Sequence, residues 1–261
     1  MKNLFCFVWL TGLLACGGAR EETVQEEPGK TEDLIYHYSV MKALDNGILE
    51  GTMTVSELLK QGDHGLGTFN GLNGEMVVID HTVYRVTPEW EVVEADDDIR
   101  IPYTIVSFFE PEKSISLGRR ENMDYEKLIS MTDTLLPSSN RFYAFRIKGN
   151  FSYMKCGGVD RQERPYDKTI LEILADRPVY EKEDISGTLV GFWCPAYIGD
   201  INTQGFHLHF LADDLSMGGH VMEFIASSLE IQYDVKEGYK IALPDTEEFE
   251  NAHFRESAVN Y

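Results

Sequence analysis

The stretch whose reading decides the fold is GFHLHFLADDLSMGGHVME, Gly205–Glu223. Phe206–Leu211 alternates histidine with large apolar residues, which is the period of a strand. Successive strand side chains point to opposite faces. His207 and His209 therefore leave one face, and Phe206, Leu208 and Phe210 leave the other. Asp213, Asp214, Gly218 and Gly219 carry turn chemistry. His220 opens a second apolar run, Val221–Ile225, and a hairpin return would set it beside the first pair. Three imidazoles converging from neighbouring strands suit Zn²⁺ or another divalent metal, with positions left for water or substrate. A lone histidine is more often packed or solvated than a ligand. The third histidine after a turn and the oily reverse face shift the balance towards metal.

Outward from this hairpin, strands dominate. Gly187–Cys194 (GTLVGFWC) is a nearly continuous apolar strand, and Phe142–Ile147 is another, with Arg146 on the face of Phe142 and Ala144 and so in need of a buried partner. Met76–Ile79 and Thr82–Val86 read as strands joined by a tight Asp80-His81 turn, with Glu75 at the mouth of the first. Leu229–Val235 and Tyr239–Leu243 flank Glu237-Gly238 as a further hairpin. Helices are few and short: a capping box at Thr54–Glu57, an amphipathic run Asp124–Leu136, Lys168–Ala175 and a terminal Thr246–Ala252. The class is α+β, two strand-rich halves with mixed or antiparallel sheets. The halves meet near residues 137–186 of a domain covering 34–261.

The chain has 261 residues, 43% of them hydrophobic, enough for a sizeable core, and a formal charge of −21. Such an acidic surface argues against nucleic acid, because a polyanion is repelled. Residues 1–15 read as an export signal: Lys2, then an apolar run Leu4–Leu14 too short to span a bilayer. Leu13-Leu14-Ala15-Cys16 resembles a bacterial lipoprotein cleavage box, which would lipidate Cys16 and hold the protein outside the cytoplasm on a membrane. Residues 16–33, acidic and turn-rich, read as a tether. Cys156 and Cys194 then remain, as an exported disulfide or as two buried thiols.

GLGTFNGLNGEM (65–76), FYAFRIKGNF (142–151), QERPY (162–166), GTLVGFWCPAY (187–197) and GFHLHFLADDLSMGGHV (205–221) together resemble the α-acetolactate decarboxylase family, over nearly the whole chain from Ile35 to Phe254. The resemblance implies a two-part β-sheet fold, zinc held by His207, His209 and His220, an acidic active-site residue at Glu75, and conversion of acetolactate to (R)-acetoin and CO₂. It implies a small-molecule substrate; with no nucleic acid expected from the charge and membrane contact only through the lipid anchor, a homodimer is one candidate assembly. Two positions depart from the family pattern. Gly157 stands where the family carries an active-site arginine, and Glu256 is only a loose match to a C-terminal glutamate.

Decarboxylating this β-keto acid leaves electrons to be held as an enediolate. A divalent metal on neutral imidazoles keeps its full charge for that task. A carboxyl group with a raised pKa, Glu75, would protonate one face. The cation facing the substrate carboxylate would come from Arg161, Arg164 or Lys155, each equally readable as a surface charge, or from Arg146, whose place within a strand favours a structural role. The competing readings are a non-catalytic lipoprotein of the same fold that binds metal or a small hydroxy-keto acid, and a cupin-like metalloenzyme. The latter ranks last because Asp213 and Asp214 follow the H-x-H where a cupin has glutamate.

Overall fold

Fifteen strands and six α-helices run through residues 33–117 and 123–254, the part of the chain that the computed structural model describes. The export signal, Cys16, residues 16–32 of the tether and Glu256 lie outside the described residues. In chain order the first elements are β1 (Leu34–Tyr38), α1 (Met41–Asp45), β2 (Met53–Thr54), α2 (Val55–Leu58), β3 (His64–Thr68), β4 (Glu75–Ile79), β5 (Thr82–Val86) and β6 (Val92–Glu94). Next come β7 (Arg100–Ile101), β8 (Tyr103–Ser107), β9 (Lys113–Leu117), β10 (Met123–Asp124), α3 (Tyr125–Ser130), α4 (Thr132–Leu135) and β11 (Phe142–Gly157). The last are α5 (Ile170–Ala175), β12 (Val179–Cys194), β13 (Gly205–Ala212), β14 (Gly218–Lys236), β15 (Gly238–Ala242) and α6 (Glu247–Glu250). The class is α+β with mixed and antiparallel sheets, as the sequence pattern predicts.

Two sheets carry the fold. The first has seven strands in the order β15-β1-β8-β3-β4-β5-β6. Its pairings are antiparallel except β1 with β15, which run parallel. The second has the order β10-β14-β11-β12-β13, with β9 added on β14. Because β14 also pairs with β13, the strands β11 to β14 close into a ring of antiparallel pairings. Aromatic and branched side chains of this ring form the largest core cluster, including Tyr143, Phe145, Phe151, Phe210, Phe224 and Tyr233. Each such side chain removed from water contributes on the order of 1.5–3 kcal/mol before the entropy of ordering is charged against it.

Local chemistry explains the joints that position the site. Asp80 and His81 both take positive φ (48° and 65°), the two-residue turn whose twist matches its flanking strands. That turn sets the Asp80 carboxylate 2.7 Å from Arg146 Nη2, so Arg146 finds its partner on the other sheet, at an exposed turn rather than in the buried interior expected from the sequence. Thr54 and Thr169 cap α2 and α5 through reciprocal bonds with Glu57 and Glu172. The 124–136 helix is two shorter ones, with Met131 closing α3.

The expected hairpin across Glu237-Gly238 does not form. Around Tyr233 both edges of β14 are already taken, by Phe145 of β11 and Lys113 of β9. The amides of Glu237 and Gly238 instead donate to the Asp33 carbonyl, and β15 crosses to lie parallel to β1. Cys156 and Cys194 are free and buried. Cys156 pairs across β12 with Tyr180, far along that strand from Cys194, well beyond the ~6 Å between Cα atoms that a disulfide spans.

Candidate active site

The three histidines meet. β13 and β14 leave the turn in a register that sets His209 directly opposite His220. His207 lies two residues up β13 on the same face. The ring centroids are 5.3 Å apart for His207–His209, 5.1 Å for His207–His220 and 5.4 Å for His209–His220. One nitrogen from each ring lies within 4.8 Å of the others. The opposite face of β13 (Phe206, Leu208 and Phe210) is buried in the main core. This locks the strand's rotation and so the direction of the imidazoles.

Protonation suits a metal. Burial above all, then the neighbouring His207 ring, drives His209 and His220 well below the ordinary histidine range. Burial and then Arg177 bring His207 down to about 4. All three are neutral at physiological pH, the state in which imidazole donates a lone pair. His209 Nδ1 lies 2.8 Å from the Met76 carbonyl. A carbonyl only accepts, so Nδ1 carries the proton and Nε2 keeps its lone pair, the orientation typical of a metal-bound histidine. His207 Nδ1 is buried with no hydrogen-bond partner among the described residues. A divalent cation fits these donors, and the three imidazoles are the residues that would hold it.

Glu75 faces this cluster from the other sheet. It is the first residue of β4, paired with Thr68 of β3. The chain arrives through Gly74 at φ 104°, whose absent Cβ would press on the Val86 carbonyl. Thr68 Oγ1 donates to the Gly74 carbonyl at 2.8 Å and holds that corner. Glu75 Oε2 sits 3.6 Å from His209 Nε2, and Oε1 sits 3.5 Å from Arg177 Nη2. Burial pushes its carboxyl up to about 7 against the pull of Arg177. A group poised near neutrality can both give and take a proton.

These five side chains line one cavity of about 490 Å³, whose other walls include Leu72, Tyr103 and residues of α1 and α5. The cations expected there are elsewhere. Arg146 is held by Asp80 and stacks 5.0 Å from the Phe109 ring. Lys155 pairs with Glu181, and Arg164 pairs with Glu248 and Glu50. Arg161 is exposed. Lys42 lines the cavity but is paired with Asp200; Arg177 is the cation beside Glu75 that the sequence reading passed over. Between Asp176 and Pro178 at the end of a short helix, it reads as an ordinary surface residue, and only the bare Gly157 hints that another side chain is needed nearby.

The family model described as alpha-acetolactate decarboxylase matches residues 35–256. The chain belongs to this family. Among its relatives, the alpha-acetolactate decarboxylase of Methanosarcina mazei is 35% identical over 232 residues, 89% of this chain and 80% of that protein. The Bacillus subtilis alpha-acetolactate decarboxylase is 34% identical, covering 84% of this chain and 85% of its own. A crystal structure of the Bacillus subtilis strain 168 protein superposes with a TM-score of 0.82 at 33% identity, over 85% of this chain and 94% of that one. The family match thus spans nearly all the described residues, including both sheets and the positions that line the cavity.

Proposed function

We propose that this chain decarboxylates 2-acetolactate to (R)-acetoin and CO₂ with zinc or another divalent metal on His207, His209 and His220. The observation that carries the reading is one cavity, in a chain of this family, that collects three neutral imidazoles and a carboxyl poised near neutrality. When bound, the cation supplies Lewis-acid stabilisation of the enediolate charge that CO₂ loss leaves behind. The chain's own groups do the rest. The buried walls, Leu72 and Tyr103 among them, keep water from competing with the substrate. Glu75, protonated in part near pH 7, gives its proton to the carbon that has lost CO₂. It stands on one side of the cavity, so the proton arrives on one face and a single enantiomer results.

The test is acetoin release from racemic acetolactate by zinc-loaded protein, against a chelator-treated control and the uncatalysed background. Metal-dependent acetoin that disappears in His207→Ala supports the reading. Tight metal binding without acetoin would favour the competing one, a non-catalytic relative that binds metal or a hydroxy-keto acid. Export and lipidation at Cys16 are proposed from the first sixteen residues. Their check is whether Cys16→Ala moves the protein from the membrane fraction to the soluble one, and an unchanged distribution would remove the anchor.

A further inference from the structure

Arg177 and Gly157 share one slot. Arg177 ends the turn between α5 and β12, its amide donating to the Leu174 carbonyl. The segment is pinned against the end of β11, where the Gly158 amide donates to the Pro178 carbonyl at 2.9 Å. From there the side chain runs inward past Gly157. A Cβ added at Gly157 would land on the guanidinium, inside contact distance of Nε, Cζ and Nη2. No side chain but hydrogen at position 157 lets Arg177 reach the cavity in this conformation.

The guanidinium arrives with its donors largely unspent. Its side chain is 13% exposed, its recorded ion pair is the long one to Glu75, and Nε has no hydrogen-bond partner among the described residues. A buried, always-charged fork with free N–H groups suits a planar oxyanion, which it can grip through two parallel bonds. With a divalent cation on the three neutral imidazoles, the cation, Arg177 and Lys42 outweigh Asp45, Asp200 and an ionised Glu75, and the cavity lining is net positive. That charge selects an anionic ligand.

We propose that Arg177 binds the carboxylate of a 2-hydroxy-3-keto acid in this cavity, and that Gly157 is glycine because it must leave room for that side chain. This rests on the functional reading above for the identity of the acid, and on the geometry alone for the oxyanion. Positions 157 and 177 feed the same volume, one from the end of β11 and the other from the turn before β12, so the cation can be delivered from either. Holding the carboxylate as a fork also fixes the rotation of the C–C bond that breaks, and orientation of this kind is worth a large part of a barrier.

The test compares zinc-loaded wild type, R177Q and the double variant G157R/R177Q in two assays. The first is calorimetric binding of a non-reacting 2-hydroxy acid against neutral acetoin; the second is acetolactate turnover. Wild type is expected to prefer the acid at least tenfold, R177Q to lose that preference with zinc content unchanged, and G157R/R177Q to regain part of it. In turnover, R177Q should raise KM about tenfold or more. If R177Q is recovered unfolded, R177K carries the same readout, since it keeps the stem and charge and loses the fork; about a fivefold weaker acid is expected. An undiminished preference for the acid in R177Q, or in R177K where that variant stands in, overturns the proposal. Acid preference lost in R177Q while wild type makes no acetoin would leave this inference standing and remove the decarboxylase reading.

Discussion

The two walls of the cavity are built by different means. The histidine wall is local: a single hairpin of the second sheet supplies all three imidazoles, and strand register alone sets His209 against His220. The facing wall is assembled from afar. Glu75 comes from the first sheet, and Arg177 from the turn that precedes β12. One hydrogen bond, His209 Nδ1 to the Met76 carbonyl, ties the two together beside Glu75. A wall made by register is held by a whole ladder of backbone bonds, whereas a wall made by tertiary crossing is held by a few contacts. Substitutions should therefore separate metal retention, which follows the first, from proton handling, which follows the second.

The largest effect is expected from His209→Ala. It removes a metal ligand and the bond to Met76 together, so both walls fail. Metal content should fall below one equivalent, and acetoin formation should drop by about a thousandfold or more. Full metal occupancy in this variant, by elemental analysis, would show that the hairpin does not hold the ion. Glu75→Gln strikes only the far wall. Zinc should stay bound, while kcat falls by ~10²–10⁴, the usual worth of a positioned proton donor. Loss of zinc in Glu75→Gln would mean that the carboxylate belongs with the ligands rather than opposite them.

A smaller effect reaches the histidine wall through the backbone. Gly191 of β12 pairs with Leu208, and a Cβ there would drive into the His207 carbonyl. Gly191→Ala must push β13 aside, at a cost of about 1–3 kcal/mol, the usual range for overpacking. A lower melting temperature and a metal affinity weakened about tenfold are expected together. A variant that melts early yet binds metal as tightly as wild type would show that the three rings keep their places without the ladder.

This contrast also explains what could be read from the chain. The His207–His209–His220 set was legible because period-two alternation and a short turn are both local, and the same holds for the β4–β5 hairpin and the Thr54 capping box. Arg177 was not. Nothing near it in sequence marks it as buried, since its burial depends on the missing side chain at Gly157, twenty residues earlier at the end of β11. The β15 crossing failed for a similar reason. Its local pattern is that of a hairpin, and only the occupied edges of β14 forbid one. Local periodicity says what a segment can form, and competition for edges and space says where it goes.

The effect furthest from the cavity, and the one with no expected consequence for metal or turnover at neutral pH, concerns how the two sheets stay joined as pH falls. His64 of β3 is fully buried, with Nε2 donating to the Phe145 carbonyl of β11 at 2.8 Å and its ring stacked 4.4 Å from Phe109. Burial, then the charge of Arg146, lowers its pKa to about 3, with the Phe145 bond opposing and Lys236 adding a little. An unfolded histidine titrates near 6.5. Above that pH neither state is protonated and His64 takes nothing from stability. Below it the unfolded chain binds a proton that the folded chain refuses until about pH 3. Stability is therefore lost across that window at up to about 1.4 kcal/mol per pH unit. His64→Gln keeps a donor for the Phe145 carbonyl and removes the titration. Its stability in urea should be lower than wild type at pH 7, and the two curves should converge as the pH is brought down from 6.5 towards 4. Parallel curves would mean that His64 can take up its proton in place, and that the join between the sheets tolerates a buried charge.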